Sequence, residues 1–234
     1  NKPDKILITS QMFRDYLVQQ HGVENNKIEY LPQYAPTQFD MIPPSAEHKE
    51  TVDLMFAGNI GAAQNLQVVL NAAEILRNEK KLRWHIVGDG SELENLKRLA
   101  VEKKLDNVIF YGRKPPEKMP KYYAMADAML VTLTADKFIS LTLPGKIQTY
   151  MAAGKPIIAS ATGEIPTVLQ DTHCGYCVAP DDARALADAV RTFMNTNEKA
   201  VLGQNARMYY ETHFLRDKFM NRLENTLIDN ASKK

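Results

Sequence analysis

The chain has 234 residues, 44% of them hydrophobic and 24% charged, an ordinary globular composition that excludes a disordered chain and suffices for one large or two small domains. Its 29 basic residues stand against 28 acidic ones, so overall charge speaks for neither nucleic acid nor a strongly anionic membrane, and any anion site has to be local. No apolar run approaches the roughly 20 residues of a membrane span, and the N-terminus lacks a signal-peptide pattern.

In chain order, the first strand-like run is KILITS at 5–10, followed by a helical pattern over 11–20 and a second run, KIEYLP, at 27–32. The segment 33–50 carries Pro36, Pro43 and Pro44 and no usable period, which reads as a linker or surface excursion. From there strands and helices alternate. DLMFAG (53–58) precedes a helix over 64–77, LRWHIVG (82–88) one over 92–103, and NVIFYG (107–112) one over 116–126. AMLVTLT (128–134) leads through the tight SLTLPGK turn into a helix over 146–153. KPIIAS (155–160), a helix over 164–171, GYCVAP (175–180) and a helix over 182–194 follow. The tail, 198–229, is helical with a break near THFLRD and reads as two closing helices.

Parallel strands need crossover connections, usually helices, so the alternation predicts an α/β fold: a Rossmann-like open parallel sheet with helices on both faces, within a single domain over 1–234. The ten methionines are scattered gap fillers. Trp84 in mid-strand is expected in the core, and of Tyr122 and Tyr123 on one helix, one is expected packed and the other exposed. Cys174 and Cys177 supply too few ligands for a structural zinc, and Cys174 precedes a strand, whereas a redox cysteine opens a helix. They read as two small buried hydrophobes, consistent with a reducing compartment.

Ligands of such sheets collect beyond the carboxyl ends of the strands. Four loops lie there: GNIGAAQN, GDGSELE, GRKPPEK and LPGKIQ. Glycine lets backbone N–H groups approach a ligand, and a helix start adds free donors and partial positive charge, so phosphate is the natural guest. Gly58 and Gly61 are therefore expected to make room for an anion, although any strand-to-helix turn favours glycine for its own sake. Neither GNIG nor VGDGSE completes the dinucleotide fingerprint, so NAD is not supported. Lys146 follows the glycine of LPGK in the first helical turn, where it opposes the helix dipole, and is the candidate phosphate contact.

LPGKIQTYMAAGKPIIASATGEIP (143–166) resembles the donor-site segment of family 4 (group 1) glycosyltransferases of the GT-B fold, bacterial surface-polysaccharide type. FAGNIGAAQNL, IVGDGSELENL, VIFYGRKPPEKMPKYYAMADAMLV and ILITSQMFRDYLVQQHGVENNKIEYLPQY resemble, in order, further elements of the C-terminal half of that fold. The resemblance implies retaining, metal-independent sugar transfer from a nucleotide-sugar, with a UDP-sugar favoured and no other cofactor. It places Gly58, Asn59, Gly61, Gln64, Pro144, Gly145 and Lys146 at the donor phosphates, with Lys146 as catalytic residue stabilising the leaving group. Gly112, Arg113, Lys114 and Thr149 fall to base and ribose, and Ser140, Leu141, Thr142 and Leu143 are sugar-facing candidates.

The departures are specific. Many members carry an arginine and a lysine where this chain has Asn59 and Gln64, and two glutamates where it has Leu141 and Thr149. Lys146 becomes the main cation, Arg113 its support, and ribose recognition passes to Thr149 or to backbone. Glu164 is read as a helix-start dipole partner. The resemblance also implies that an acceptor-binding N-terminal domain is absent from this chain, which opens at Asn1. The chain alone is then expected to bind donor and transfer little, with exposed apolar side chains between Phe219 and Ile228. The sugar or lipid-linked acceptor reaches the enzyme through that other half, and the location is cytoplasmic or peripheral to the inner face of the plasma membrane, with no nucleic-acid partner. A nucleotide-sugar 2-epimerase, a non-catalytic nucleotide-binding module and an oxidoreductase are the rival readings. The first lacks an acid–base pair in the four loops and the last lacks its fingerprint.

Overall fold

The computed structural model describes residues 3–40, 42 and 50–232. Among these residues lie eight strands: β1 (Ile6–Ile8), β2 (Ile28–Tyr30), β3 (Val52–Asn59), β4 (Leu82–Asp89), β5 (Val108–Gly112), β6 (Ala128–Thr132), β7 (Ile157–Ser160) and β8 (Gly175–Val178). The helices are α1 (Met12–His21), α2 (Gln67–Ile75), α3 (Leu93–Glu102), α4 (Met119–Met125), α5 (Lys146–Ala152), α6 (Glu164–Thr172), α7 (Ala183–Asn195), α8 (Lys199–His213) and α9 (Arg216–Ala231). The expected alternation is present throughout.

Six strands form one parallel sheet in the order β5-β4-β3-β6-β7-β8. Its central strands read as unbroken apolar runs because both faces are covered. Leu54, Phe56, Trp84, Leu130 and Ile158 point into a core shared with α2, α3 and α7. Met55, Ala57, Val87, Val131 and Ala159 point the other way, into a core with α4, α5, α6 and α8. Trp84 is fully buried, as expected. Tyr123 is buried too, whereas Tyr122, expected to be exposed if its neighbour packed, is half-buried with its ring edge-on to Tyr111 at 5.2 Å.

β1 and β2 do not join this sheet. They pair with each other, Ile6 to Ile28 through Ile8 to Tyr30, as a separate parallel ribbon. A two-stranded ribbon has little stability of its own, and α1 buries none of its residues. Side chains fasten the unit instead. Glu164, expected to serve only the α6 dipole, is buried and accepts from the Ser10 hydroxyl (2.5 Å) and the Gln11 N–H (2.8 Å). From α9, Arg222 Nε and the Thr226 hydroxyl donate to the Glu29 carboxylate at 3.1 and 3.2 Å.

The stretch after β2 is not simply a surface excursion: Leu31, Ala35 and Phe39 are buried, and Arg207 of α8 donates to Asp40 Oδ1 at 3.1 Å. The rest of that expected linker, 43–49, lies outside the described residues. Two predicted helices are divided. Over 64–77, Asn65 takes a left-handed φ of 41° between a short 3-10 turn (Ala62–Gln64) and α2. Over 116–126, a 3-10 turn (Pro116–Lys118) precedes α4, with Pro120 in its first turn, where no N–H partner is missed. Cys174 is buried with its thiol pushed up to about 11 by burial; Cys177 is half-buried.

Candidate functional site

With β3 as its first strand, the six-stranded sheet has the 3-2-1-4-5-6 order of doubly wound folds. Strand order reverses between β3 and β6, and the crevice beyond the carboxyl ends of the strands is where such folds take ligands. A cavity of about 490 Å³ opens over the ends of β3 and β4, floored by Ala57 and Val87 and walled by Phe39, Met119 and Tyr123. The tops of the strands are held closely. Gly88 has φ +148°, and a Cβ on it would lie 1.8 Å from the Gly58 carbonyl oxygen, so the two turns pack backbone against backbone. Tyr150 of α5 fixes the end of β3 from one side, its hydroxyl donating to the Ala57 carbonyl (2.9 Å) and accepting from the Ala57 N–H (3.1 Å).

Gly58 itself has φ +146°, and a Cβ there would sit 3.3 Å from Lys146 Nζ. The room that glycine leaves is therefore filled by the Lys146 ammonium. That ammonium is buried, has no hydrogen-bond partner among the described residues, and lies 4.0 Å from the centroid of the Phe56 ring. Burial brings its pKa down to about 7, while the electron-rich face of Phe56 pulls the other way. The LPGK turn is pinned from beneath by Gln148, which is buried and, with its amide oriented as its neighbours require, donates to the Pro144 and Gly145 carbonyls at 3.0 and 3.3 Å.

Of the residues singled out in the sequence, Gly58, Asn59, Arg113, Lys114 and Thr149 line this cavity. Gly61 and Gln64 stand behind it. Gln64 Oε1 accepts from the Gly61 N–H (3.1 Å) and from Asn59 Nδ2 (3.3 Å), so the two positions that lost their cations form one amide clamp on the turn. Gly112 takes φ +67° with open space where a Cβ would stand. Pro144 and Gly145 belong to the adjacent turn. Gly145 is exposed, and a Cβ on it would meet the Gln33 side chain at 3.0 Å.

The sugar-facing candidates separate. Leu143 is buried in the core, which removes it from that role. The Ser140 and Thr142 hydroxyls donate within their own turn, to Lys137 (2.8 Å) and Ile139 (2.7 Å), and Leu141 is half-buried at the end of a 3-10 turn (Ile139–Leu141). Thr149 donates to the Gly145 carbonyl at 3.0 Å.

Gln38, Phe39 and Asp89 are among the lining residues that escaped the sequence. Gln38 and Phe39 come from the stretch after β2: Gln38 Nε2 donates to the Pro116 carbonyl at 3.0 Å, and Phe39 packs on Tyr123 with centroids 4.7 Å apart. A proline-rich run without a period carries no local sign of such a strap. Asp89, at the top of β4, lies in a loop that was singled out but was read only for its glycines. It is the one carboxylate that lines the cavity among the described residues.

His85 is sealed away from the cavity. It is buried between Asp53 (2.7 Å) and the Tyr111 hydroxyl (2.9 Å). Among the described residues, no three His, Cys, Asp or Glu side chains converge as metal ligands would.

Comparison with known proteins bears on this geometry. The family model described as glycosyl transferases group 1 matches residues 38–209. The chain is 34% identical over 134 residues to the Probable glycosyltransferase WbjE of Pseudomonas aeruginosa, covering 56% of this chain and 33% of that protein. The chain spans less than half the length of curated relatives it matches: 33% of WbjE and 47% of the D-inositol 3-phosphate glycosyltransferase of Streptomyces coelicolor. Among solved structures, sucrose-phosphate synthase from Thermosynechococcus elongatus superposes with a TM-score of 0.83 at 19% identity, over 100% of this chain and 60% of that one. Anabaena Alr3699/HepE in complex with UDP superposes with 0.82 at 16% identity, over 97% and 64%.

Proposed function

Because the chain belongs to the glycosyl transferases group 1 family, we propose that it is the donor-binding half of a retaining, metal-independent glycosyltransferase. The donor is a nucleotide-sugar, a UDP-sugar foremost, and the product a surface polysaccharide or glycoconjugate. The observation that carries this reading is the cavity over the strand tops with a buried ammonium beside it that has no hydrogen-bond partner among the described residues. An amine held without a polar partner is poorly solvated, so an incoming diphosphate gains more from it than from a hydrated surface lysine.

As the bond from the sugar to the diphosphate breaks, negative charge grows on the leaving oxygen. Lys146, moving off Phe56, supplies the cation that stabilises it, and Arg113 at the cavity rim supports the distal part of the nucleotide. The turn from Gly58 to Gly61, stiffened by Asn59 and Gln64, offers backbone rather than charge. The UDP bound in the similar HepE fold supports the choice of base.

The β1–β2 ribbon, with Leu7 36% exposed and α1 without a buried residue, and the exposed Leu227 and Ile228 of α9 suit a second, acceptor-binding half packed against them. The cleft between the halves would then be the transfer site, with the acceptor chosen by the other half. Among the described residues, no helix is long and apolar enough to cross a membrane. The proposed location is the cytoplasm or the inner face of the plasma membrane. The test is thermal: UDP at about 100 times its Kd raises stability by about 2.7 kcal/mol, which shows as a higher Tm, whereas NAD leaves Tm unchanged. A Tm raised by NAD and not by any nucleoside diphosphate would contradict the reading.

A further inference from the structure

We propose that Asp89 is the ribose-binding residue of this site, its carboxylate accepting hydrogen bonds from the ribose hydroxyls of the bound nucleotide. The inference rests on the nucleotide-sugar reading above and adds to it the residue that recognises the sugar of the nucleotide. Strand order gives the argument its geometry. Across the top of the sheet lie Arg113 and Lys114 after β5, Asp89 at the end of β4, Gly58 and Asn59 at the end of β3, and Lys146 beyond β6. Neighbouring strands are about 5 Å apart, so these groups form a row. In a nucleotide the ribose stands between base and phosphate. With the phosphates at Gly58 and Lys146 and the base toward Arg113, the ribose falls over β4.

Charge narrows the choice. Asp89 is the only carboxylate lining the cavity among the described residues, and a carboxylate repels phosphate, so the part of a nucleotide that suits it is one that donates hydrogen bonds. A vicinal diol supplies two. One oxygen of Asp89 already accepts from the Gly90 N–H at 2.8 Å, which fixes the side chain at its turn, and a carboxylate has capacity for further donors. The alternative, Thr149, donates its hydroxyl proton to the Gly145 carbonyl and can offer a diol only a neutral oxygen, a weaker acceptor than the Asp89 carboxylate. In doubly wound folds that bind dinucleotides, the ribose goes to an acid beyond the phosphate-binding turn of the first strand. Asp89 holds such a place although the glycine fingerprint is missing.

The experiment titrates the chain with UDP, 2′-deoxy-UDP and 3′-deoxy-UDP, and repeats this on Asp89→Asn and Asp89→Ala. The wild type is expected to lose about 10- to 100-fold in affinity when a contacted hydroxyl is removed, as for hydrogen bonds to a charged group. Asp89→Ala is expected to bind UDP correspondingly weakly and to tell it from the deoxy ligands by less than about three-fold. Asp89→Asn keeps an acceptor for the Gly90 N–H, so it preserves the turn and should fall between the two. If both variants discriminate as well as the wild type does, the assignment of Asp89 is overturned and the donor reading stands. If the wild type binds no nucleoside diphosphate, the donor reading falls and takes this one with it.

Discussion

The Lys146 ammonium lies over the Phe56 ring with no polar partner among the described residues, so holding a proton there carries a free-energy cost in the folded chain that is absent in the unfolded one. Its pKa is about 7 in the folded state and the ordinary 10.5 once unfolded. Between those values the unfolded chain binds the extra proton, so stability rises with pH across that window, by up to about 1.4 kcal/mol per pH unit. Below the window both states are charged and the full cost applies; above it both are neutral and the cost vanishes. Urea unfolding of the wild type and Lys146→Met at pH 7 and pH 9.5 should show this slope in the first and not in the second. At pH 7 the variant should be at least as stable as the wild type. Equal slopes would mean that the amine is not desolvated. The sequence marks Lys146 by its misfit with the helix dipole, and the structure buries its ammonium against Phe56 beside Gly58. It could not show that Asn59 and Gln64 bond to each other, because that pairing depends on the path of the turn between them.

At the level of elements, glycines that look alike in sequence do different things. Gly112 has open space and only its left-handed φ to satisfy, so Gly112→Ala should cost about 1 kcal/mol. Gly88→Ala would drive a Cβ into the Gly58 carbonyl and should cost about 3 kcal/mol or more, with a corresponding fall in the urea midpoint. Similar losses at the two positions would refute the close packing of the β3 and β4 turns.

Strands and helices were legible because apolar period and turn residues are local. Sheet membership was not: β1 and β2 read like any other strand pair, and only their partners show that they stand apart. Glu164 holds that ribbon. Glu164→Ala, which leaves the buried Ser10 hydroxyl and the Gln11 N–H without their acceptor, should speed amide exchange in β1 and β2 and cost about 1–3 kcal/mol. Exchange in β3, β4 and β6 should be unchanged.

At the scale of the whole molecule, the six-stranded sheet carries a core on each face, with the cavity over the ends of β3 and β4. That much followed from alternation and from the strand-end glycines. The strap of Gln38 and Phe39 and the placement of Asp89 did not, since they join residues distant in sequence through the strand order. The exposed apolar side chains of α9, Met220, Leu227 and Ile228 among them, agree with the pattern expected between Phe219 and Ile228. They lie on a helix that also braces the β1–β2 ribbon through Glu29. If acceptor binding belongs to another half, the chain alone should bind donor yet transfer little sugar. Steady transfer to added acceptors by this chain would refute that division of labour.

The central claim, that the strand-top cavity takes a nucleoside diphosphate on Lys146, is tested most directly by isothermal titration with UDP, GDP, ADP and NAD, on the wild type and on Lys146→Ala. Binding of one nucleoside diphosphate, UDP foremost, weakened by about 10-fold or more in the variant, is the predicted result. Equal affinity of wild type and variant, or no binding by any diphosphate, would contradict it.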